Sequence, residues 1–254
     1  RSTLFPYTTL FRSASIQANV AWTFDTVADM KLATNLVDGS YAQTLGFYAI
    51  NDGGGAIYKI SETGTADEIA TIAVGDLYAT IVSGKKVNVK QLGAKGDDTT
   101  NDYGALNYAI NHYNEVEFPE GTYLITSPIT VAYAVSLKGD KAKIHVNTGG
   151  HGLIADDLTS LSIENLDFTC PEEYTAQSSH ATHIMIKISD SSNIKISDCE
   201  ISYAVMGITL ENCKDIVFTN NIMHHFTGWG VTFGDETSPC ENALIDNNVS
   251  YSTS

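Results

Sequence analysis

Three of four aligned positions in the second half of the chain carry carboxyl groups suited to proton transfer. Asp157, Asp190, Asn212 and Asp235 each follow a short apolar run, at residues 152–155, 185–188, 207–210 and 230–233, so equivalent turns hold a carboxylate or an amide. If those runs are neighbouring parallel strands, Asp157 and Asp190 lie about 5 Å apart and Asp190 and Asp235 about 10 Å apart. Carboxyl groups about 5 Å apart suit glycosidic cleavage with retention, and groups about 6.5–9.5 Å apart suit inversion. In either case one group stays protonated as the donor while the other is ionised. The trio Asp157, Asp190 and Asp235 is therefore the catalytic candidate. A structural role competes with it, because Asp and Asn side chains also hydrogen-bond the tight turns they occupy.

Around these positions lie residues that could hold a substrate. Lys187 is the one lysine on the four runs, and Trp229 precedes the last of them, with Tyr203 in a nearby turn. A flat aromatic face packs well on sugar C–H groups, although turn packing also explains it. His183 is read with His180 as a surface or glycan-contacting pair. Those two and the His224-His225 pair lack a spacing that forces four ligands to converge, so no metal is assigned. No cofactor is expected, and calcium has no support. Cys170, Cys199, Cys213 and Cys240 lack zinc spacing. Cys213 and Cys240 fall at equivalent places in the repeat, either as stacked free thiols or within disulfide reach.

Charge narrows the partners. The chain of 254 residues has 14 basic and 30 acidic side chains, a net charge of −16. Nucleic acid and anionic membranes are poor partners for that surface. A polyanionic glycan is also repelled unless lysines gather locally, so a neutral glycan fits at least as well. No apolar run is long enough to span a bilayer.

The elements that must position these residues repeat irregularly. Residues 161–166, 194–199, 216–221 and 244–248 share an apolar strand followed by a polar turn, which aligns Asn165, Asp198, Asn220 and Asn247. The intervals, 33, 22 and 27 residues, fit a solenoid with insertions on a near-constant rung. An Asn column at rung spacing predicts a side-chain ladder that serves the turn backbone. The solenoid starts near Val87. There Gly93-Ala-Lys-Gly-Asp97 leads into Thr99-Thr-Asn-Asp102, read as a capping box, and into a helix with Ala105, Leu106, Ala109 and Ile110 on one face. Val116, Phe118, Tyr123 and Ile125 then alternate around a Pro/Gly turn, which predicts two short strands.

Upstream, residues 14–86 read as a separate small α+β unit. Thr26 caps a short helix over 26–33, and residues 46–60 form two strands around Asn51-Asp-Gly-Gly-Gly55. Those glycines are not read as a phosphate loop, because no helix follows them. Thr3 to Ser13 resembles the translation of a sequencing adapter and is set aside, and Arg1 and Arg12 are the only arginines in the chain. The C-terminus is expected to stop in mid-rung.

GAKGD, the Thr/Asp-rich stretch and VEFPEGTYLI together resemble the entry to a pectate-lyase superfamily β-helix of the rhamnogalacturonase-like kind. TVADMK, TLGFY and NDGGGAIYKI resemble the small domain that precedes such helices in phage tail spikes. The resemblance implies an all-β, right-handed parallel β-helix over residues 87–254 behind a virion-attachment or capping domain. It implies a protein, extracellular or on a virion and homotrimeric as such spikes commonly are, that binds and cleaves a cell-surface polysaccharide. A secreted pectate lyase or polygalacturonase-like enzyme and a non-catalytic glycan-binding adhesin are the alternatives. Gly150-His-Gly152 is similar to a polygalacturonase motif, but here it precedes the other aligned rungs. A catalytic arginine base is excluded over residues 14–254, where no arginine occurs.

Overall fold

Residues 20–171 and 183–251 are described by the computed structural model. The chain divides between Gly84 and Lys85. In the first unit five strands, β1 (Val20–Phe24), β2 (Tyr41–Thr44), β3 (Ile57–Ser61), β4 (Thr71–Val74) and β5 (Leu77–Ile81), form one sheet in the order β1-β2-β3-β5-β4. Helix α1 (Val27–Lys31) buries Val27 and Met30, and Thr26 caps it as expected, its hydroxyl accepting the Asp29 N–H at 3.1 Å.

The hairpin differs from the sequence reading. The antiparallel partners of β3 are β2 and β5, not the stretch after Gly46. Residues 47–54 instead wrap Asp52, whose carboxylate accepts the N–H groups of Phe47, Tyr48, Ala49 and Gly54 at 2.7–3.0 Å. Partial burial raises the Asp52 pKa, but the donated hydrogen bonds outweigh it and hold the carboxyl below its ordinary value. Its contribution is therefore present above the ordinary aspartate pKa and is lost as pH falls through the depressed one. Asp52→Asn, which cannot accept four bonds, is expected to destabilise this loop by about 2 kcal/mol. Amide exchange at Phe47, Tyr48, Ala49 and Gly54 should speed up and lose its acid dependence; unchanged exchange would refute the role.

The second unit opens at β6 (Lys86–Asn88) and a 3-10 turn, Val89–Leu92, where Asn88 and Gln91 form a reciprocal capping box. The box expected at Thr99 is absent. Asp97–Asn101 is strand β7, and helix α2 runs over Tyr103–His112 with no side-chain cap from Asp102. Asp102 is buried, and its carboxylate accepts the Lys95 and Gly96 N–H groups at 2.7 and 2.9 Å. Tight-turn donors, orphaned inside the protein, claim a side chain that the helix end can do without. Strands β8 (Glu115–Phe118) and β9 (Gly121–Ile125) follow, with Val116, Phe118, Tyr123 and Ile125 buried as the alternation predicts.

From here the chain winds as a parallel solenoid with three faces. One face stacks β10 (Ile129–Val131), β12 (Leu153–Asp156), β14 (Ile184–Ser189), β17 (Met206–Glu211) and β20 (Val231–Phe233). A second stacks β8, β11 (Val135–Val146), β13 (Leu161–Thr169), β15 (Ser192–Ser197), β18 (Lys214–Thr219) and β21 (Glu241–Asp246). The third stacks β9, the far halves of β11 and β13, β16 (Glu200–Ala204), β19 (Ile222–Phe226) and β22 (Val249–Tyr251). Inward residues form columns in register: Leu137, Ile163, Ile196 and Phe218 on the second face, Ile144, Phe168, Ile201 and Met223 on the third. Each buried aliphatic or aromatic side chain contributes about 1.5–3 kcal/mol. Period-2 alternation supplies one such residue per rung and face, and stacking makes the core continuous.

The corners explain the Asn and Asp columns. Asn165, Asp198, Asn220 and Asn247 all have left-handed backbone, with φ between 51° and 60°. Short polar side chains tolerate that region where branched ones do not. The expected ladder is present, with the Asn220 amide donating to Asp198 at 3.1 Å and that of Asn247 to Asn220 at 2.8 Å. The backbone, however, is served by the next column inward. Asn221 is fully buried, accepts the Cys199 N–H at 3.1 Å and donates to the Ile196 carbonyl at 3.0 Å. Asn248 repeats the pattern one rung on, toward Asn221 N–H and the Phe218 carbonyl. Cys199 holds the same place one rung earlier, its thiol 3.7 Å from the Ile163 carbonyl.

Candidate functional site

The β10-β12-β14-β17-β20 sheet, termed the groove sheet, carries most of the residues singled out above. Register pairs Asp156 with Ser189 and Ser189 with Glu211, so Asp157, Asp190 and Asn212 form one column at the edge. All three have left-handed backbone, φ 53°, 48° and 52°, and the Asn212 amide donates to Asp190 Oδ1 at 2.5 Å. Asp235 departs from this geometry. Gly234, φ 68°, takes the left-handed turn one residue early, and the Asp235 carboxylate closes its own loop onto Thr237 and Ser238. Those hydrogen bonds hold Asp235 below its ordinary pKa, the ionised form of a base rather than of a proton donor.

The outward column of the same sheet runs Ile154, Lys187, Thr209, Thr232. Lys187 pairs with Glu211 at 3.2 Å across one rung. The hydroxyl oxygens of Thr209 and Thr232, on neighbouring rungs, are buried and have no hydrogen-bond partner among the described residues. Trp229 is 67% exposed just before the last strand, and its carbonyl accepts the Gly207 N–H at 3.0 Å.

Other sequence candidates land elsewhere. His183 is fully buried, its Nε2 3.5 Å from the Cys170 thiol, so it does not reach a surface glycan. The alternation that places it beside a groove strand does not reveal which side of the rung it enters. His180 lies outside the described residues. Cys213 and Cys240 are free thiols, donating to the Ile188 and Leu210 carbonyls respectively. Burial pushes the Cys170 and Cys199 thiols up to about 12, which removes them as nucleophiles. Among the described residues no group of three or more His, Cys, Asp or Glu side chains could hold a metal ion.

The third face holds a cluster that the sequence reading did not assemble. Asp167 on β13 and Glu200 on β16 lie on successive rungs, and the Glu200 N–H donates to Asp167 Oδ1 at 2.9 Å. Glu200 Oε1 lies 3.2 Å from His224 Nε2 on β19, and the Nδ1 atoms of His224 and His225 are in contact. Tyr203 stacks on His225 with centroids 4.4 Å apart, and Tyr251 on His224 at 5.0 Å. Burial raises the Asp167 pKa; the Glu200 N–H opposes this, the Glu200 charge adds to it, and Lys143 offsets part. The signal was available: two positions past the Asn column, the aligned repeats read Asp167, Glu200 and Ile222.

Comparison with known proteins agrees with this architecture. The model of the family described as rhamnogalacturonase A/epimerase, pectate lyase-like, matches residues 86–159. A tailspike, gp49 of Acinetobacter baumannii bacteriophage Fri1, described as a capsular polysaccharide depolymerase, superposes with a TM-score of 0.61 at 15% identity, over 82% of this chain and 48% of its own. The gp42 tailspike of Acinetobacter phage vb_AbaP_AS12 gives 0.66 at 12% identity, over 92% and 44%. A curated relative, the non-secreted LysM effector LysM19 of Penicillium expansum, is 40% identical over 67 residues, 21% of this chain and 5% of that protein. The chain thus spans less than half the length of these relatives. The fold is a parallel β-helix similar to that of these tailspikes.

Proposed function

We propose that this chain binds a polysaccharide along its groove sheet and cleaves glycosidic bonds by hydrolysis, as part of a tailspike-like depolymerase outside the cell or on a virion. The observation that carries the reading is the groove floor. Lys187 and Glu211 pair there on adjacent rungs, and exposed Trp229 flanks the row. Polar groups repeated along a strand-stacking axis fit a ligand that itself repeats, and an exposed indole fits sugar C–H faces. The depolymerase described among the tailspike relatives and the pectate-lyase-like family match support the same substrate class. A net charge of −16 favours a neutral glycan, and the lack of arginine beyond Arg12 disfavours arginine-based elimination. Asp157 and Asp190 are read as edge groups that orient sugar hydroxyls. Trimeric assembly belongs to the proposal.

Purified capsular and exopolysaccharides, neutral and acidic, incubated with the chain test it. New reducing ends on a neutral polymer are the expected result, and Trp229→Ala should weaken binding about tenfold. Unsaturated ends would point to a lyase. Binding without new ends would point to an adhesin, and neither binding nor cleavage would overturn the reading.

A further inference from the structure

The third-face cluster combines what glycoside cleavage needs and the groove edge does not supply. We infer that Asp167 and Glu200 are the proton-donating and nucleophilic carboxyl groups of this chain, acting on a neutral polysaccharide, with His224 as a positioning residue and the stacked Tyr203 and His225 rings as a sugar platform. The inference rests on the polysaccharide reading above and moves the chemistry to residues on another face.

Geometry carries it. Successive parallel rungs set the two carboxyl groups about 5 Å apart, the separation suited to a double displacement. The flanking residues Leu166, Phe168 and Ile201 are buried, so Asp167 and Glu200 both point outward, half-buried. Their environments differ in the required sense. Partial burial, with the neighbouring Glu200 charge, raises the Asp167 pKa, the direction a proton donor needs, and Glu200 Oε1 lies 3.2 Å from His224 Nε2. A carboxyl group raised in this way beside a second one suits the proton-donor role of such a pair. The Tyr203–His225 stack continues the face toward the corner that precedes β17.

The step balances. The Glu200 carboxylate forms a bond to the anomeric carbon as the glycosidic C–O bond breaks, and the Asp167 proton passes to the departing oxygen. A water molecule then attacks the same carbon, Asp167 accepts its proton, and the ester to Glu200 breaks. One water is consumed per bond, both side chains return to their starting forms, and the anomeric configuration is retained.

The test uses Asp167→Asn and Glu200→Gln. The first keeps an oxygen for the Glu200 N–H and the second keeps one for His224, so both should fold, as circular dichroism would show. Each is expected to lose about a hundredfold or more of the cleavage rate on whichever polysaccharide the unmodified chain cleaves. Carboxyl-carbon NMR of the unmodified chain should show Asp167 titrating above the ordinary aspartate range and moving down in Glu200→Gln. His224→Gln should slow cleavage without changing the affinity for intact polymer. If the unmodified chain cleaves and either single variant keeps its rate, the assignment falls while the polysaccharide reading stands. A polymer product of inverted configuration overturns the nucleophile role of Glu200. If no polysaccharide is cleaved at all, the functional reading fails and the assignment with it.

Discussion

Asn221→Ala is expected to destabilise the solenoid by about 4 kcal/mol, because it orphans a buried backbone N–H and a buried carbonyl, each costing about 1–3 kcal/mol. The lost groups are the Cys199 N–H at 3.1 Å and the Ile196 carbonyl at 3.0 Å, and the amide contact with Asn248 at 3.0 Å is lost with them. Water cannot replace the side chain, since the position is fully buried. The informative control is one residue away. Asn220 sits outside with φ 60°, bonded to neighbouring side chains rather than to backbone. Asn220→Ala should cost about 1 kcal/mol for the left-handed backbone, and Asn220→Gly less. Urea titrations of the three variants, with amide exchange at Cys199, measure the difference. An Asn221→Ala loss no larger than that of Asn220→Ala would refute the inner ladder.

Phe218→Ala should cost about 3–5 kcal/mol, the usual loss for a buried phenylalanine. The ring is 1% exposed and stands in the core column with Leu137, Ile163 and Ile196. It also meets Phe233 edge-on, with centroids 5.6 Å apart at 79°. Phe233 lies on β20, the last strand of the groove sheet, so the cavity opens directly behind the floor that carries Thr232. Exchange of the Val231–Phe233 amides should therefore accelerate more than exchange on β12, at the far side of the sheet. Phe218→Leu, which fills most of the space, should cost about 1.5 kcal/mol or less. Equal acceleration on both strands would mean that the rungs unfold together rather than in nearest-neighbour steps.

Much of this protein is determined by sequence-local physics. A β-strand exposes alternate residues to opposite faces, so the period-2 runs alone place Leu137, Ile163, Ile196 and Phe218 in the core. Left-handed corners favour Asn, Asp or Gly, so the spacing of Asn165, Asp198, Asn220 and Asn247 marks one turn per rung and hence the rung length. Thr26 and Asn165 could be assigned correctly because capping and turn preferences depend on a few neighbouring atoms. Asp102 could not. Whether its carboxylate serves the helix or the Lys95 and Gly96 N–H groups depends on which donors the fold leaves without water. The β3 hairpin was likewise misplaced on residues 46–60, because Asp52 draws residues 47–54 into a loop and leaves pairing to Tyr41–Thr44.

The same division runs through the candidate site. Asp157 and Asp190 could be placed in one column, because equal rungs bring equal positions together. The joining of Glu200 to His224, 24 residues away, could not be read from spacing, since the contact crosses rungs diagonally. Nor could the burial of His183, which depends on where an insertion re-enters the coil. Sequence determined the repeat, its corners and its inward faces, because each is set by backbone preference within a few residues. Only the tertiary structure decided which polar side chains meet across rungs and which of them lose water, because both depend on the register and depth created when the rungs stack.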